Sequence, residues 1–168
     1  MLIGVDCGNL VEEGRTGTHN YLYNLLKNLA FLDINNDYVL YFRTVPSAEF
    51  WSVLSCGNIK WRYRILQSRI SWTQKALSQA TFLDKLDVLI CTWHTLPVFH
   101  NKSTKIIFVV HDFTYNILLS YPIYAGLILA DIVVGVSNST YREIIKRVPW
   151  RINSVRRIYE GVDTNKFI

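Results

Sequence analysis

The sequence predicts an α/β fold, a doubly wound, mainly parallel, Rossmann-like sheet in one domain. Short apolar runs at residues 2–5, 87–91, 105–110 and 131–136 read as strands buried on both faces. Stretches of helical period separate them, which is the alternation of a parallel sheet covered on both sides. The length of 168 residues suits one such core and is short for two.

Element by element, the first run ends in Asp6, and Gly8, Gly14 and Gly17 punctuate the loop after it. A helix beginning near Thr18 places Leu22, Leu25, Leu26 and Leu29 on one face. The polar stretch 33–37 breaks it, and 38–42 is a second strand. Ile59, Trp61, Tyr63 and Ile65 alternate with Lys60, Arg62 and Arg64, a strand with one basic face. Ser71 and Gln74 form a capping-box pattern before a helix carrying Trp72, Ala76, Leu77 and Ala80. After the strands at 87–91 and 105–110, residues 113–130 read as a short loop and a buried helix. Following the 131–136 strand, Thr140 and Glu143 open a helix that Pro149 ends, and 155–159 is the last strand.

Half the residues are apolar and 14% are aromatic, which excludes a disordered chain. The net charge of +5 gathers in two clusters, one at Lys60, Arg62, Arg64, Arg69 and Lys75 and one from Arg142 to Lys166. Such clusters suit phosphate-bearing ligands, anionic lipid or nucleic acid. No helix-turn-helix, zinc-finger or aromatic RNA-reading signature accompanies them, so nucleic acid is not an expected partner. Cys7, Cys56 and Cys91 form no C-x-x-C pair, which points away from zinc and disulfides and toward a reducing, cytoplasmic compartment. The uncharged run 113–130 reaches the length of a membrane span, but it contains Asn116, Pro122 and Gly126 between flanking acids.

In open α/β sheets, ligands bind beyond the carboxyl ends of the strands. Residues there are Gly14, Arg15, Thr16, Gly17 and His19 after the first strand, Thr92, Trp93 and His94 after the 87–91 strand, His111 and Asp112 after the 105–110 strand, and Ser137 after the 131–136 strand. Gly14-Arg15-Thr16-Gly17 joins a strand to a helix start, where free amides favour an anion. His111 is placed as a proton carrier or a donor to a substrate hydroxyl, with its ring expected to face an open cleft. No G-x-S-x-G elbow or H-E-x-x-H metal motif occurs, so neither a hydrolase triad nor a metal site is expected.

Together these pieces resemble the N-terminal domain of the retaining glycosyltransferases of family 4 (glycosyl transferases group 1), which have the two-domain GT-B architecture. The stretches that carry the resemblance are Ile3-Gly4-Val5-Asp6, Arg15-Thr16-Gly17-Thr18-His19-Asn20-Tyr21, Tyr38-Val39-Leu40-Tyr41, Asp87-Val88-Leu89, Thr95-Leu96-Pro97, Val109-Val110-His111-Asp112, Ala130-Asp131 through Val136-Ser137, and Glu160-Gly161-Val162-Asp163 with Phe167. The resemblance implies transfer of a sugar from a nucleotide-sugar donor to a sugar-bearing acceptor, without a metal or other cofactor. It implies that Gly14, Arg15, Thr16 and Gly17 approach the donor phosphates, that His111 is catalytic, and that His19, His94, Asp112 and Ser137 line the acceptor cleft. It divides the chain into an acceptor-side domain, 1–159, and the start of an interdomain crossing, 160–168, with the donor-binding domain supplied in cis or trans. Two departures stand out: the interval between Asp112 and Asp131 is short for the family, and Glu160 stands where asparagine is common.

Two other functions fit the same residues. One is a non-catalytic α/β module that holds a phosphorylated ligand or a protein partner. The other is a module peripheral to an anionic membrane surface, using Lys60, Arg62 and Arg64. Weak self-association is expected from a sheet face that a second domain would otherwise cover.

Overall fold

The computed structural model describes residues 1–10, 16–55, 60–113 and 117–162. Its elements are β1 (Leu2–Asp6), α1 (Gly17–Leu32), β2 (Asp37–Phe42), α2 (Ala48–Ser55), β3 (Trp61–Ile65), a π-helical turn (Thr73–Leu77) running into α3 (Ser78–Asp84), β4 (Val88–Cys91), β5 (Lys105–Val110), α4 (Ile117–Leu129), β6 (Ile132–Gly135), α5 (Asn138–Arg147), a 3₁₀ segment (Pro149–Ser154) and β7 (Val155–Arg157). The strands form one seven-stranded sheet in the order β3-β2-β1-β4-β5-β6-β7. Every neighbouring pair is parallel. The chain reverses its direction of travel across the sheet between β1 and β4, the topological switch point where open α/β sheets form a crevice. The doubly wound fold is as the apolar runs indicate.

Alternation along the strands divides the core. Ile3, Val5, Tyr38, Leu40 and Phe42 face α1 and α2, meeting Leu22, Leu26, Phe50 and Leu54. Val39, Leu89, Cys91, Ile106, Phe108 and Val110 face the other way, onto Leu77, Ala80, Ile123, Leu127 and Ile144. At α4 the approach is close enough to need glycine, since a Cβ at Gly126 would stand 2.3 Å from the Phe108 ring. Arg151 closes the C-terminus of α4 by donating to the carbonyls of Leu127 at 2.7 Å and Ile128 at 2.6 Å, and also to Ala130. No helix among the described residues is long and apolar enough to cross a membrane.

Several sequence expectations shift. Ser71 and Gln74 form no capping box. Ser71 sits at φ 54°, and the Gln74 amide instead donates to Leu96 O at 2.7 Å and accepts from Val98 N at 2.9 Å, clamping the loop after β4. Helix α5 begins at Asn138, two residues before Thr140, because its N-cap Ser137 is extended and its Oγ accepts the Thr140 N–H at 3.0 Å. Glu143 points to the other end of that helix, where it pairs with Lys146 at 2.8 Å and with Arg147. Helix α2, which the sequence reading does not include, starts where Ser47 Oγ accepts the Phe50 N–H at 3.0 Å. The last strand ends at Arg157 rather than at residue 159, although Ile158 N still donates to Gly135 O at 3.1 Å.

The alternation in β3 holds. Trp61 stacks on Tyr38 with ring centroids 4.4 Å apart, and Tyr63 meets Trp51 edge-on at 4.8 Å. On the opposite, basic face, Arg64 is held by Asp84 at 2.5 Å, so that face is less free than its sequence implies. The sheet face beside α1 at β5 and β6 is largely closed, with Val109, Val134 and Val136 buried near Tyr21 and Ile132 37% exposed at the edge. Exposed apolar side chains are spread over the rest of the surface, among them Leu32, Ile70, Phe99, Tyr121 and Trp150.

Candidate functional site

Each described candidate residue follows a strand end or opens a helix. Helix α1 starts beside the switch point with Thr16 as its N-cap, in extended backbone, and Gly17 as its first helical residue. The Thr16 N–H donates to His19 Nδ1 at 3.0 Å, so that nitrogen bears no hydrogen. The His19 hydrogen is therefore on Nε2, which donates to Asn9 O at 2.8 Å. His19 thus ties the end of the β1 turn to the helix start, and its ring lies 4.9 Å from that of Trp93, just past β4. A Cβ at Gly17 would meet nothing within 4 Å among the described residues. Gly14 and Arg15 lie outside the described residues.

His111 follows β5 directly. Its Nδ1 lies 3.0 Å from Glu160 Oε1, and its ring meets Tyr21 of α1 edge-on at 4.8 Å. Only 8% of the His111 side chain is exposed. The open, cleft-facing ring expected from sequence is therefore mostly covered, because Tyr21 reaches over the sheet and the segment after β7 closes from the other side. The polar partners of the ring are this phenol and this carboxylate. With the Glu160 carboxylate accepting, Nδ1 carries the hydrogen of a neutral ring and leaves the Nε2 lone pair bare.

The remaining candidates fall beside these two histidines. His94 and Asp112 share an electrostatic neighbourhood with His111. Burial lowers the His94 pKa, with Asp112 opposing the shift and His111 adding to it. Ser137 is committed to capping α5, and Thr140 Oγ1 in the same turn donates to His111 O at 2.8 Å. The turn that starts α5 therefore fixes the backbone of His111. The Tyr21 phenol is raised, chiefly by burial and then by Glu160.

Buried polar atoms normally find partners. Among the described residues, four buried side-chain atoms have none: Trp61 Nε1, Thr92 Oγ1, Trp93 Nε1 and His111 Nε2. All but the first lie just beyond the carboxyl ends of β4 and β5. By type they are a hydroxyl, an indole donor and an imidazole nitrogen. Sequence reasoning placed Thr92 and Trp93 with His94 at this edge without giving them a role, and it missed Tyr21 and Glu160 as company for His111. For Glu160 the signal was its departure from the family pattern.

The buried acid Asp6 lies at the end of β1, where its Oδ1 accepts the Gly8 N–H at 3.0 Å. Burial, only partly offset by that bond and by Arg43, lifts its pKa to about 6. Cys7 and Cys91 are buried free thiols with pKa values raised by burial and then by Asp6, which leaves them poor nucleophiles.

No family model matches the sequence, and no curated protein matches it. Among solved structures, the chain is similar to HepE from Anabaena, a protein crystallised in complex with UDP and glucose, at a TM-score of 0.58 and 13% identity. The match covers 98% of this chain and 45% of HepE, so the chain spans less than half the length of that protein. At this identity the likeness is one of fold, and this chain shares with HepE the doubly wound, Rossmann-like sheet with its helices.

Proposed function

We propose that this chain is the acceptor-side half of a GT-B glycosyltransferase of the retaining family 4 type, which acts with a donor-binding half supplied in cis or trans. The observation that carries this reading is that Thr92, Trp93 and His111, directly after β4 and β5, each hold a buried polar atom with no hydrogen-bond partner among the described residues. Likeness in fold to part of a protein that holds UDP and glucose supports it.

In this reading the sugar being transferred lies against that edge. His111 Nε2 accepts a hydrogen bond from a sugar hydroxyl, and Glu160 holds the ring in the tautomer that leaves Nε2 free. The first-turn amides of α1 and the loop that includes Gly14 and Arg15 face the donor diphosphate. His19, through Trp93, joins that helix end to the sugar site. The leaving diphosphate needs positive charge from the other half, because a developing anion is stabilised by donors and charges aimed at it from both sides.

The test is sugar transfer by the purified chain, alone and joined to a donor-binding half. The chain alone should turn over no nucleotide sugar. In the two-domain enzyme His111→Ala should lower kcat about a hundredfold, the scale of a positioned proton-transfer or hydrogen-bonding group. The anomeric configuration of the product, read by NMR, tests retention. Turnover by the chain alone would overturn the half-enzyme reading. Undiminished turnover by His111→Ala in the two-domain enzyme would remove His111 from the mechanism. Saturable binding of a phosphorylated ligand without transfer in the joined protein would instead support a module that only binds.

A further inference from the structure

A separate concavity of about 420 Å³ opens beyond the ends of β2 and β3, lined by Arg43, Leu66, Gln67, Ser68, Arg69 and Trp72. Its size falls within the range of small-molecule sites, roughly 300–1,000 Å³. The loop that forms it is internally tied. Trp72 Nε1 donates to Leu66 O at 2.8 Å, Ser68 Oγ donates to Ile70 O at 2.7 Å, and Ser71 takes φ 54°. The Leu66 N–H continues the sheet by donating to Phe42 O at 2.8 Å. Trp72 is also wedged against the turn after β1, where a Cβ on Gly8 would stand 2.6 Å from its ring.

The cationic residues of this groove differ from others nearby. Arg64 has Asp84 and Arg147 has Glu143, but Arg43 and Arg69 form no ion pair among the described residues. Arg43 lies with its guanidinium carbon 4.8 Å over the Trp72 ring, a contact that steadies the side chain without neutralising it. The Arg43 charge also acts on the buried Asp6 carboxyl, where it opposes the rise that burial causes. Two guanidinium groups without an ion-pair partner among the described residues, Arg43 just after β2 and Arg69 on the loop after β3, line the groove with the Gln67 amide, a set that suits a doubly charged oxyanion, and Arg is matched to phosphate geometry.

We propose that this groove binds the phosphate group of a small, hydrophilic phosphomonoester of about monosaccharide size. Arg43 and Arg69 hold the phosphate and Gln67 donates to the attached group. The site lies on the far side of Gly8 from the His111 edge, and its occupancy does not depend on sugar transfer.

The experiment is a ¹H–¹⁵N NMR titration of the full chain, including arginine Nε and tryptophan Nε1 signals, with inorganic phosphate, glucose 6-phosphate, glucose and glucuronate. Glucose 6-phosphate should give saturable shifts at Arg43, Gln67, Arg69 and Trp72, and phosphate the same shifts more weakly. Glucose should move none of them, and glucuronate should bind less well than glucose 6-phosphate. Arg43→Gln and Arg69→Gln should each weaken binding about tenfold or more, as for loss of a charged hydrogen bond, while Lys102→Gln leaves it unchanged. Arg69→Gln keeps the test open if Arg43→Gln fails to fold, because Arg69 makes no ion pair in the described structure. Absence of saturable shifts at these residues, equal binding of glucuronate, or equal weakening by Lys102→Gln would overturn the assignment. None of those outcomes bears on sugar transfer, so the two readings fail separately.

Discussion

His111 Nδ1 lies 3.0 Å from Glu160 Oε1, which ties the end of β5 to the segment that leaves β7, 49 residues further along the chain. An acceptor carboxylate at Nδ1 makes the neutral ring an Nδ1–H tautomer. His19, whose Nδ1 accepts from the Thr16 N–H, has the opposite one. Long-range ¹H–¹⁵N spectra at alkaline pH should therefore show His19 protonated at Nε2 and His111 at Nδ1. Identical tautomers at the two sites would contradict the contacts described.

The same carboxylate raises the Tyr21 phenol, after the larger effect of burial. Glu160→Gln removes the negative charge and leaves the burial, so the Tyr21 pKa should fall part of the way to its ordinary value. The readout is the Tyr21 ¹³Cζ shift followed through alkaline pH. An unmoved titration would mean that Glu160 does not stand over this pair in solution.

Asp6 should give the chain a distinctive pH dependence. Its carboxyl rises from 3.8 to about 6 on folding, so the folded chain holds that proton more tightly than the unfolded chain. Its contribution to stability is thus fully present below about 3.8 and is lost as pH rises through about 6. The difference is worth about 3 kcal/mol. Asp6→Asn keeps an acceptor for the Gly8 N–H and removes the ionisation. Urea denaturation should show the variant gaining on the wild type by up to about 3 kcal/mol between pH 4 and pH 8. Parallel stability profiles for the two proteins would rule out a buried, titrating Asp6.

Ser137 is a helix cap in this structure, whatever else it does. Ser137→Ala should cost about 1 kcal/mol of stability, and Ser137→Asp, which can also cap, should recover most of it. Thermal or urea unfolding of the three proteins measures this directly. Equal stability of all three would free Ser137 for a role at the cleft alone.

Gly126 sets the distance between α4 and the sheet. A Cβ at this position would meet the Phe108 ring at 2.3 Å, so Gly126→Ala should destabilise the fold by about 1–3 kcal/mol through overpacking. Adding Phe108→Leu should recover part of that loss, and a double-mutant cycle measures the coupling. Additive effects would show that α4 can move away from β5 without cost.

The sequence by itself determined the strands, their parallel arrangement and the edge that carries the polar residues. Each of these follows from local pattern. Apolar runs mark strands, period-two alternation marks the faces of β3, and helical stretches between strands require parallel crossovers. The positions of His19, His94, His111, Asp112 and Ser137 at one edge were legible for the same reason, since each directly follows a strand or starts a helix. Which partner each polar group takes was decided only by the tertiary structure. Ser71 and Gln74 match a capping box, yet contacts to residues 96–98 claim the Gln74 amide. Thr140 and Glu143 match another, yet Ser137 lies three residues earlier and reaches the Thr140 amide first. Glu160 is remote from His111 in sequence, and the folded sheet brings β5 and the end of β7 close enough for the two to meet. Local pattern fixes where a side chain leaves the backbone. Hydrogen bonds between distant segments depend on the whole chain packing, and that packing makes His111 a covered, oriented ring instead of an open one.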